Sequence, residues 1–176
     1  MENSSEIRST NAFPLVLEQV VKWWLMIQGP HASGERAMLR RLKSPDEVAL
    51  QSVYYKLLDS VLEIEGMKQF SGPLASRLPF IAGILAHVEQ DNPGCPIAKS
   101  MGMKQQGSDR PTISDLRFRK ILRTDESAEL YIIMIRIVKM LGKKADVRNL
   151  IQSLYFWNEQ TKKSWASQYY LQKDIY

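Results

Sequence analysis

Cysteine, histidine and long apolar runs are scarce in this chain of 176 residues. The single cysteine, Cys95, cannot form an internal disulfide, and with two histidines it cannot supply the ligands of a structural zinc site. No window approaches the run of about 20 apolar residues that a membrane span needs, and the first apolar stretch lacks a signal-peptide cleavage site. These absences argue against disulfide-rich secreted proteins and membrane-spanning proteins, and we expect a cytoplasmic location.

Motifs for catalysis and phosphate binding are missing as well. The sequence contains neither a Walker motif nor the glycine-rich motif of dinucleotide-binding proteins. His31 follows a Gly-Pro turn, where a loop or capping role is expected, and His87 lies in an apolar helix, where a packed imidazole is expected. The sequence therefore predicts a protein that is not an enzyme, with no metal and no cofactor.

Charge is abundant and unevenly distributed. The chain has 24 Lys and Arg against 19 Asp and Glu, a net charge of +5. Residues 1–109 carry a net charge of −1 and residues 110–176 a net charge of +6, so the whole excess is C-terminal. A basic surface often faces nucleic-acid phosphates, although it can also be a solvated face or meet an acidic protein.

Apolar residues recur at helical intervals almost throughout, which predicts an all-α fold with two lobes and about eight helices. Ser44 and Glu47 have the spacing of a capping box. Residues 92–112, rich in proline and glycine, are predicted as a connecting loop between an N-terminal lobe, 1–91, and a basic C-terminal lobe, 113–176. The expected helices cover residues 13–28, 33–43, 44–64, 74–90, 114–123, 127–141, 146–157 and 158–173.

The helix that begins near residue 33 places three cations, Arg36, Arg40 and Lys43, on one face. Arg41 lies beside them. The spacing predicts an exposed basic face, because three cations cannot point into a core.

The helix after Ser114 has one apolar and one basic side. Phe118 and Ile121 lie on the apolar side, which we expect to dock on the core, while Leu116 is an apolar exception. The basic residues are Arg117, Arg119, Lys120 and Arg123. Arginine grips phosphate in a bidentate manner, which favours a phosphate partner, although a solvated face remains the alternative.

Further cations follow in the C-terminal part. Arg136 lies in an otherwise apolar helix, where a cation needs an anionic partner or an exposed groove. Lys162 and Lys163 open the last helix, and Trp165 and Tyr169 follow on a shared face. These aromatic rings could stack on unpaired bases, but core packing is favoured.

Several short motifs are distinctive in their order along the chain. They are Trp23-Trp24, Gly34-Glu35-Arg36-Ala37, Leu39-Arg40-Arg41, Ser44-Pro45-Asp46-Glu47-Val48, the run from Ser114 to Arg123, Leu154-Tyr155-Phe156-Trp157-Asn158, Lys162-Lys163, Trp165 and Tyr169-Tyr170. With this order and spacing over nearly its whole length, the chain resembles the CasB family, the small subunit of the type I-E CRISPR surveillance complex Cascade.

The resemblance implies a non-enzymatic, two-lobed helical subunit that is present as a pair of copies in a crRNA-guided antiviral complex. It implies contacts with the large and backbone subunits, and a basic surface that supports the target strand and the displaced non-target strand in the R-loop. The cations that it assigns to DNA are Arg40, Arg41, Arg77, Arg117, Arg119, Lys120, Arg123, Arg136, Lys162 and Lys163. Lys120, Lys162 and Lys163 stand where the family often has arginine, so strand contacts there are expected to be weaker.

Two other functions fit the residues less well. A pure interaction scaffold would use its cations on acidic protein neighbours and would not contact DNA. A sequence-specific regulator would need Asn or Gln positioned beside Arg119 and Arg123 to read adenine edges, and none is present there. The predicted DNA contacts involve the backbone only, because RNA-guided complexes read sequence by guide pairing.

Overall fold

The computed structural model describes residues 3–64, 73–125 and 128–172, with the side chains of residues 3–11 and Pro73 outside the description. These residues form ten α-helices, a short 3-10 helix at Pro30–Ala32 and two two-residue strands. The all-α prediction is confirmed. None of the described helices is long and apolar enough to cross a membrane.

The chain packs as two units, residues 1–86 and 87–176. The first unit holds α1 (Asn3–Gln28), α2 (Ser33–Leu39), α3 (Pro45–Ala49), α4 (Ser52–Leu62) and α5 (Pro73–Leu85). The second holds β1 (Gln90–Asp91), α6 (Ile97–Gly102), α7 (Asp115–Arg123), α8 (Ala128–Met140), β2 (Lys144–Ala145), α9 (Val147–Tyr155) and α10 (Glu159–Leu171). The strands β1 and β2 pair in parallel, with Gln90 opposite Lys144.

The first unit is built on the buried stripe of α1. Val16, Val20 and Ile27 are fully buried in this stripe, and α1 packs against α2, α4 and α5. The indole nitrogen of Trp23 donates a hydrogen bond of 3.0 Å to the carbonyl oxygen of Val53, at the start of α4. This bond satisfies a polar group that the apolar core would otherwise leave unpaired.

The predicted single helix over residues 44–64 is wrong. It is divided at Leu50 and Gln51 into α3 and α4, because Gln51 has an extended backbone with φ −97° and ψ 137°. The break leaves Leu50 79% exposed. One half of the predicted capping box is present at the start of α3, where the Ser44 hydroxyl accepts a hydrogen bond from the backbone N–H of Glu47. The Glu47 carboxylate accepts its hydrogen bond from the backbone N–H of Lys43, one residue before the N-cap.

The second unit is centred on α8, as its nearly uniform apolar character predicts. Leu130, Tyr131 and Met134 are fully buried. The segment predicted as a connecting loop differs from that prediction: it contains α6, whose residues Ile97 and Met101 are fully buried and which packs along α10. Residues 92–112 therefore belong to the packed second unit.

Two aspartates fasten the strand pair to the start of α9. Asp146 is the N-cap of α9, and its carboxylate accepts hydrogen bonds of 2.9 Å from the backbone N–H groups of Asn149 and Gly94. Asp91 accepts a bond of 3.0 Å from the backbone N–H of Val147. The carboxylates thus satisfy three backbone donors around one junction.

We predict that Asp146→Ala lowers the free energy of unfolding by about 1–2 kcal/mol, because a lost N-cap alone lowers it by about 0.5–2 kcal/mol and Gly94 loses its acceptor. Urea unfolding followed by far-UV circular dichroism measures this change. Asp146→Asn keeps one side-chain oxygen for the Asn149 N–H, so it should lower the free energy of unfolding by less. Equal losses in both variants would contradict the capping role.

Candidate nucleic-acid interface

Helix α7 divides into the two sides that its sequence predicts. Phe118 and Ile121 are fully buried, whereas Leu116 is 76% exposed. The helix begins after the N-cap Ser114, which has an extended backbone. All four basic side chains of α7 are exposed. The helix therefore docks by its apolar side and presents its cations to solvent.

Helices α7 and α10 run side by side in opposite directions. Asp115 at the start of α7 accepts a hydrogen bond of 2.5 Å from the Tyr170 hydroxyl near the end of α10. Asp125, just beyond the end of α7, lies 2.9 Å from the Nζ atom of Lys162 near the start of α10. Between these contacts the ring of Phe118 stacks on Tyr169, with centroids 3.9 Å apart. The bond to Asp115 raises the pKa of Tyr170 to about 12, so this hydroxyl stays protonated at neutral pH.

Three of the predicted DNA-contacting cations of the second unit are engaged by carboxylates. Arg119 pairs with Asp115 at 2.7 Å, and Lys120 pairs with Glu129 at 3.0 Å. Lys162 pairs with Asp125 and with Glu159, and its side chain is only 12% exposed. The hydrogen bond to Asp125 raises the pKa of Lys162. We call Arg119, Lys120 and Lys162 the paired cations.

Four others are exposed, and none has a hydrogen bond or ion pair to another side chain among residues 3–64, 73–125 and 128–172. Arg117 and Arg123 lie on α7, Arg136 on α8 and Lys163 on α10. We call these four residues the open cations. They can meet a phosphate without first giving up a carboxylate.

The predicted basic face of the first unit is largely absent, because two of its arginines bind backbone carbonyls. Nη1 of Arg36 donates to the carbonyl oxygen of Ile27 at 3.1 Å. Nε of Arg40 donates to the carbonyl oxygen of Ala86 at 2.7 Å, and this side chain is half-buried. Arg77 on α5 is also half-buried, whereas Arg41 is exposed. Arg36 and Arg40 therefore complete the ends of α1 and α5.

Two of the three aromatic residues of α10 pack in the core, so the favoured prediction is confirmed for Trp165 and Tyr169, whereas Tyr170 is 52% exposed. Trp165 is 1% exposed, and its indole nitrogen donates to the Ser153 hydroxyl at 3.0 Å. The Tyr169 hydroxyl donates to the carbonyl oxygen of Ile113 at 2.7 Å. Neither ring is available for an incoming base.

No group of His, Cys, Asp and Glu in the described parts of the chain could hold a metal ion. Cys95 is a free cysteine, and its Sγ lies 3.2 Å from the hydroxyl of Ser100. His31 is exposed and His87 is buried.

The pairing of these cations with carboxylates was not predicted from the sequence. The Asp115–Arg119 pair has the i, i+4 spacing of a helical ion pair and could have been found from the sequence. The Asp125–Lys162 pair joins residues 37 positions apart, and no local pattern signals it.

Comparison with known proteins gives two matches. A family model, that of CRISPR-associated protein Cse2, matches residues 35–170. A chain in a crystal structure of E. coli Cascade bound to a PAM-containing double-stranded DNA target is similar in fold, with a TM-score of 0.62 and 15% identity over 86% of this chain and 93% of that chain. No curated protein matches. Because the family model covers most of the chain, the protein belongs to the Cse2, or CasB, family of CRISPR-associated proteins.

Proposed function

We propose that this protein is a non-catalytic subunit of a crRNA-guided Cascade complex and that it holds single-stranded DNA through the open cations of its second unit. In the complex it would act beside a second copy of itself and the large and backbone subunits. Membership of the Cse2 family supports this proposal, as does the fold similarity to a chain of DNA-bound Cascade. The single observation that carries it is the set of open cations on α7, α8 and α10.

Backbone contacts of this kind suit R-loop formation. The RNA–DNA duplex that forms is about as stable as the DNA duplex that it replaces, so modest contacts to the separated strands shift the balance. Arg117 and Arg123 can bind phosphate in a bidentate manner, and Lys163 contributes a point charge. The bases are not read, because sequence is selected by the guide.

The paired cations are expected to contribute less. Arg119, Lys120 and Lys162 already have carboxylate partners at 2.7–3.1 Å. A phosphate must displace these carboxylates, so each paired cation contributes less binding free energy than an open cation does. Arg41 is the exposed candidate of the first unit, while Arg40 and Arg77 are less accessible.

We predict that the triple variant Arg117→Gln, Arg123→Gln, Lys163→Gln binds single-stranded DNA with a much weaker salt dependence than the wild type. Each phosphate contact contributes a slope of about −0.7 in log affinity against log salt, so loss of three contacts should flatten the slope by about 2. Fluorescence anisotropy with a labelled oligonucleotide over a salt series measures the slope.

The matched control replaces the paired cations, as Arg119→Gln, Lys120→Gln, Lys162→Gln. It removes the same charge from the same helices and should keep most of the slope. Equal flattening in both variants would show that total charge, and not the open cations, governs binding. If the wild type shows no salt-dependent binding and the first variant also protects the displaced strand normally in the assembled complex, the scaffold function is correct instead.

A further inference from the structure

Tyr170 presents an aromatic ring at the surface of the second unit. The residue is 52% exposed, whereas its ring neighbours Phe118 and Tyr169 are buried. Its hydroxyl donates the hydrogen bond to Asp115 described above, and its ring contacts both neighbours. The ring is therefore accessible but fixed in orientation, so little side-chain entropy is lost when a ligand binds to it.

The ring geometry leaves one face of Tyr170 uncovered. Its centroid lies 5.0 Å from that of Tyr169 and 5.8 Å from that of Phe118, while those two stacked centroids are 3.9 Å apart. Tyr170 therefore lies beside the stacked pair and not at its end. Its plane is nearly perpendicular to both rings, at 87° and 83°, so one of its faces meets the edges of the pair. The opposite face, which we call the open face of Tyr170, is turned to solvent.

Two open cations lie close to this ring. Lys163 precedes Tyr170 by seven residues on α10, which is nearly two whole turns, so both side chains project from the same side of the helix, about 10 Å apart along its axis. Arg117 lies two residues after Asp115, which holds the Tyr170 hydroxyl, and the Cα atoms of Arg117 and Asp115 are about 5 Å apart in a helix. Tyr170 is therefore part of the same surface as both open cations.

An exposed aromatic ring among cations is typical of proteins that bind single strands, because the cations follow the backbone while bases stack on the ring. Stacking does not require a particular base, since every base has a π face. This agrees with a complex in which guide pairing selects the sequence. The ring favours a nucleic-acid strand over an acidic protein segment, which would pair with the cations alone.

We infer that an unpaired base of the strand held by the open cations stacks on the open face of Tyr170. The inference deepens the proposed function and rests on it, since that function brings a single strand to α7 and α10. The stacked base adds affinity without sequence preference and without a further phosphate contact.

The test changes the ring without changing the charge. Tyr170→Leu keeps an apolar side chain but removes the ring face, so it should weaken binding of a single-stranded oligonucleotide at least about fivefold. The slope of log affinity against log salt should stay the same, because no phosphate contact is lost. Tyr170→Phe keeps the ring and should bind within about twofold of the wild type. Fluorescence anisotropy over the salt series measures both quantities.

The matched control is Tyr55→Leu. Tyr55 is 54% exposed on α4 of the first unit, so this variant removes an equally exposed ring and should leave the affinity unchanged. An abasic oligonucleotide of the same length gives a comparison that needs no variant to fold. It carries the same phosphates, so the wild type should bind it more weakly with the same slope, and Tyr170→Leu should cause no further loss.

Equal wild-type affinity for the normal and the abasic oligonucleotide would overturn the role of Tyr170, as would normal binding by Tyr170→Leu, and the salt slope would still support the proposed function. If Tyr170→Leu bound DNA normally but entered reconstituted Cascade poorly, the open face would bind a partner subunit instead. The proposed function fails on a different result, the absence of salt dependence described above, and the role of Tyr170 falls with it.

Discussion

Replacement of Trp165 by alanine is expected to lower the free energy of unfolding by about 3–5 kcal/mol, the usual range for a fully buried tryptophan. Its ring packs edge-on against Trp157, with centroids 4.9 Å apart, and its indole nitrogen is bonded to Ser153. Alanine would leave a cavity and an unpaired hydroxyl in the second unit. Urea unfolding of the full chain, followed by far-UV circular dichroism, measures the loss.

The control is Leu116→Ala, which truncates an exposed apolar side chain of the same unit and should change stability by no more than about 0.5 kcal/mol. If Trp165 were an exposed platform on which bases stack, its ring would contact solvent. Its replacement by alanine would then change stability as little as Leu116→Ala does. If Trp165→Ala left stability unchanged but weakened DNA binding, Trp165 would be part of the binding surface, contrary to the structure.

Gly102→Ala is expected to lower the free energy of unfolding by about 1–3 kcal/mol, through overpacking. A Cβ atom at Gly102 would lie 2.4 Å from the backbone oxygen of Tyr169 and 2.5 Å from the side-chain nitrogen of Gln172. The backbone of α10 cannot yield without moving the helix that carries Lys162 and Lys163. We expect a change both in the free energy of unfolding, measured with denaturant, and in the slope of log DNA affinity against log salt.

Gly34→Ala is the control for Gly102→Ala, because it makes the same change in α2 at a position where a Cβ atom has free space around it. No atom lies within 4 Å of a Cβ at Gly34, so alanine should stabilise the chain by up to about 1 kcal/mol through its higher helix propensity. Opposite signs for the two variants are the expected result. If Gly102→Ala were also stabilising, α6 would not pack against α10 as the structure shows.

Local patterns were sufficient to predict the all-α fold and the two sides of α7. Helical periodicity and caps such as Asp146 and Asn158 are encoded within a few neighbouring residues, and both of these residues cap the helices that follow them. The division at Leu50 and Gln51 was not predictable in this way. The apolar stripe continues across it, whereas α3 packs chiefly on α5 and α4 packs chiefly on α1.

The sequence predicted which cations could form the candidate site, but it did not predict which of them are paired with carboxylates. The exposure of Arg117 and Arg123 follows from the helical position of each residue. Whether a cation is open depends on contacts with distant segments, as for Arg40, whose carbonyl partner Ala86 lies 46 residues away.

The packing of α6 on α10 also sets an order of folding. A six-residue helix is not stable alone, and the partner of α6 lies more than 50 residues further along the chain. The first unit is compact within residues 1–86, so it can fold on the ribosome while the second unit is still being made. Helix α6 must wait for α10, so the α7–α10 surface becomes complete only after α10 has been synthesised.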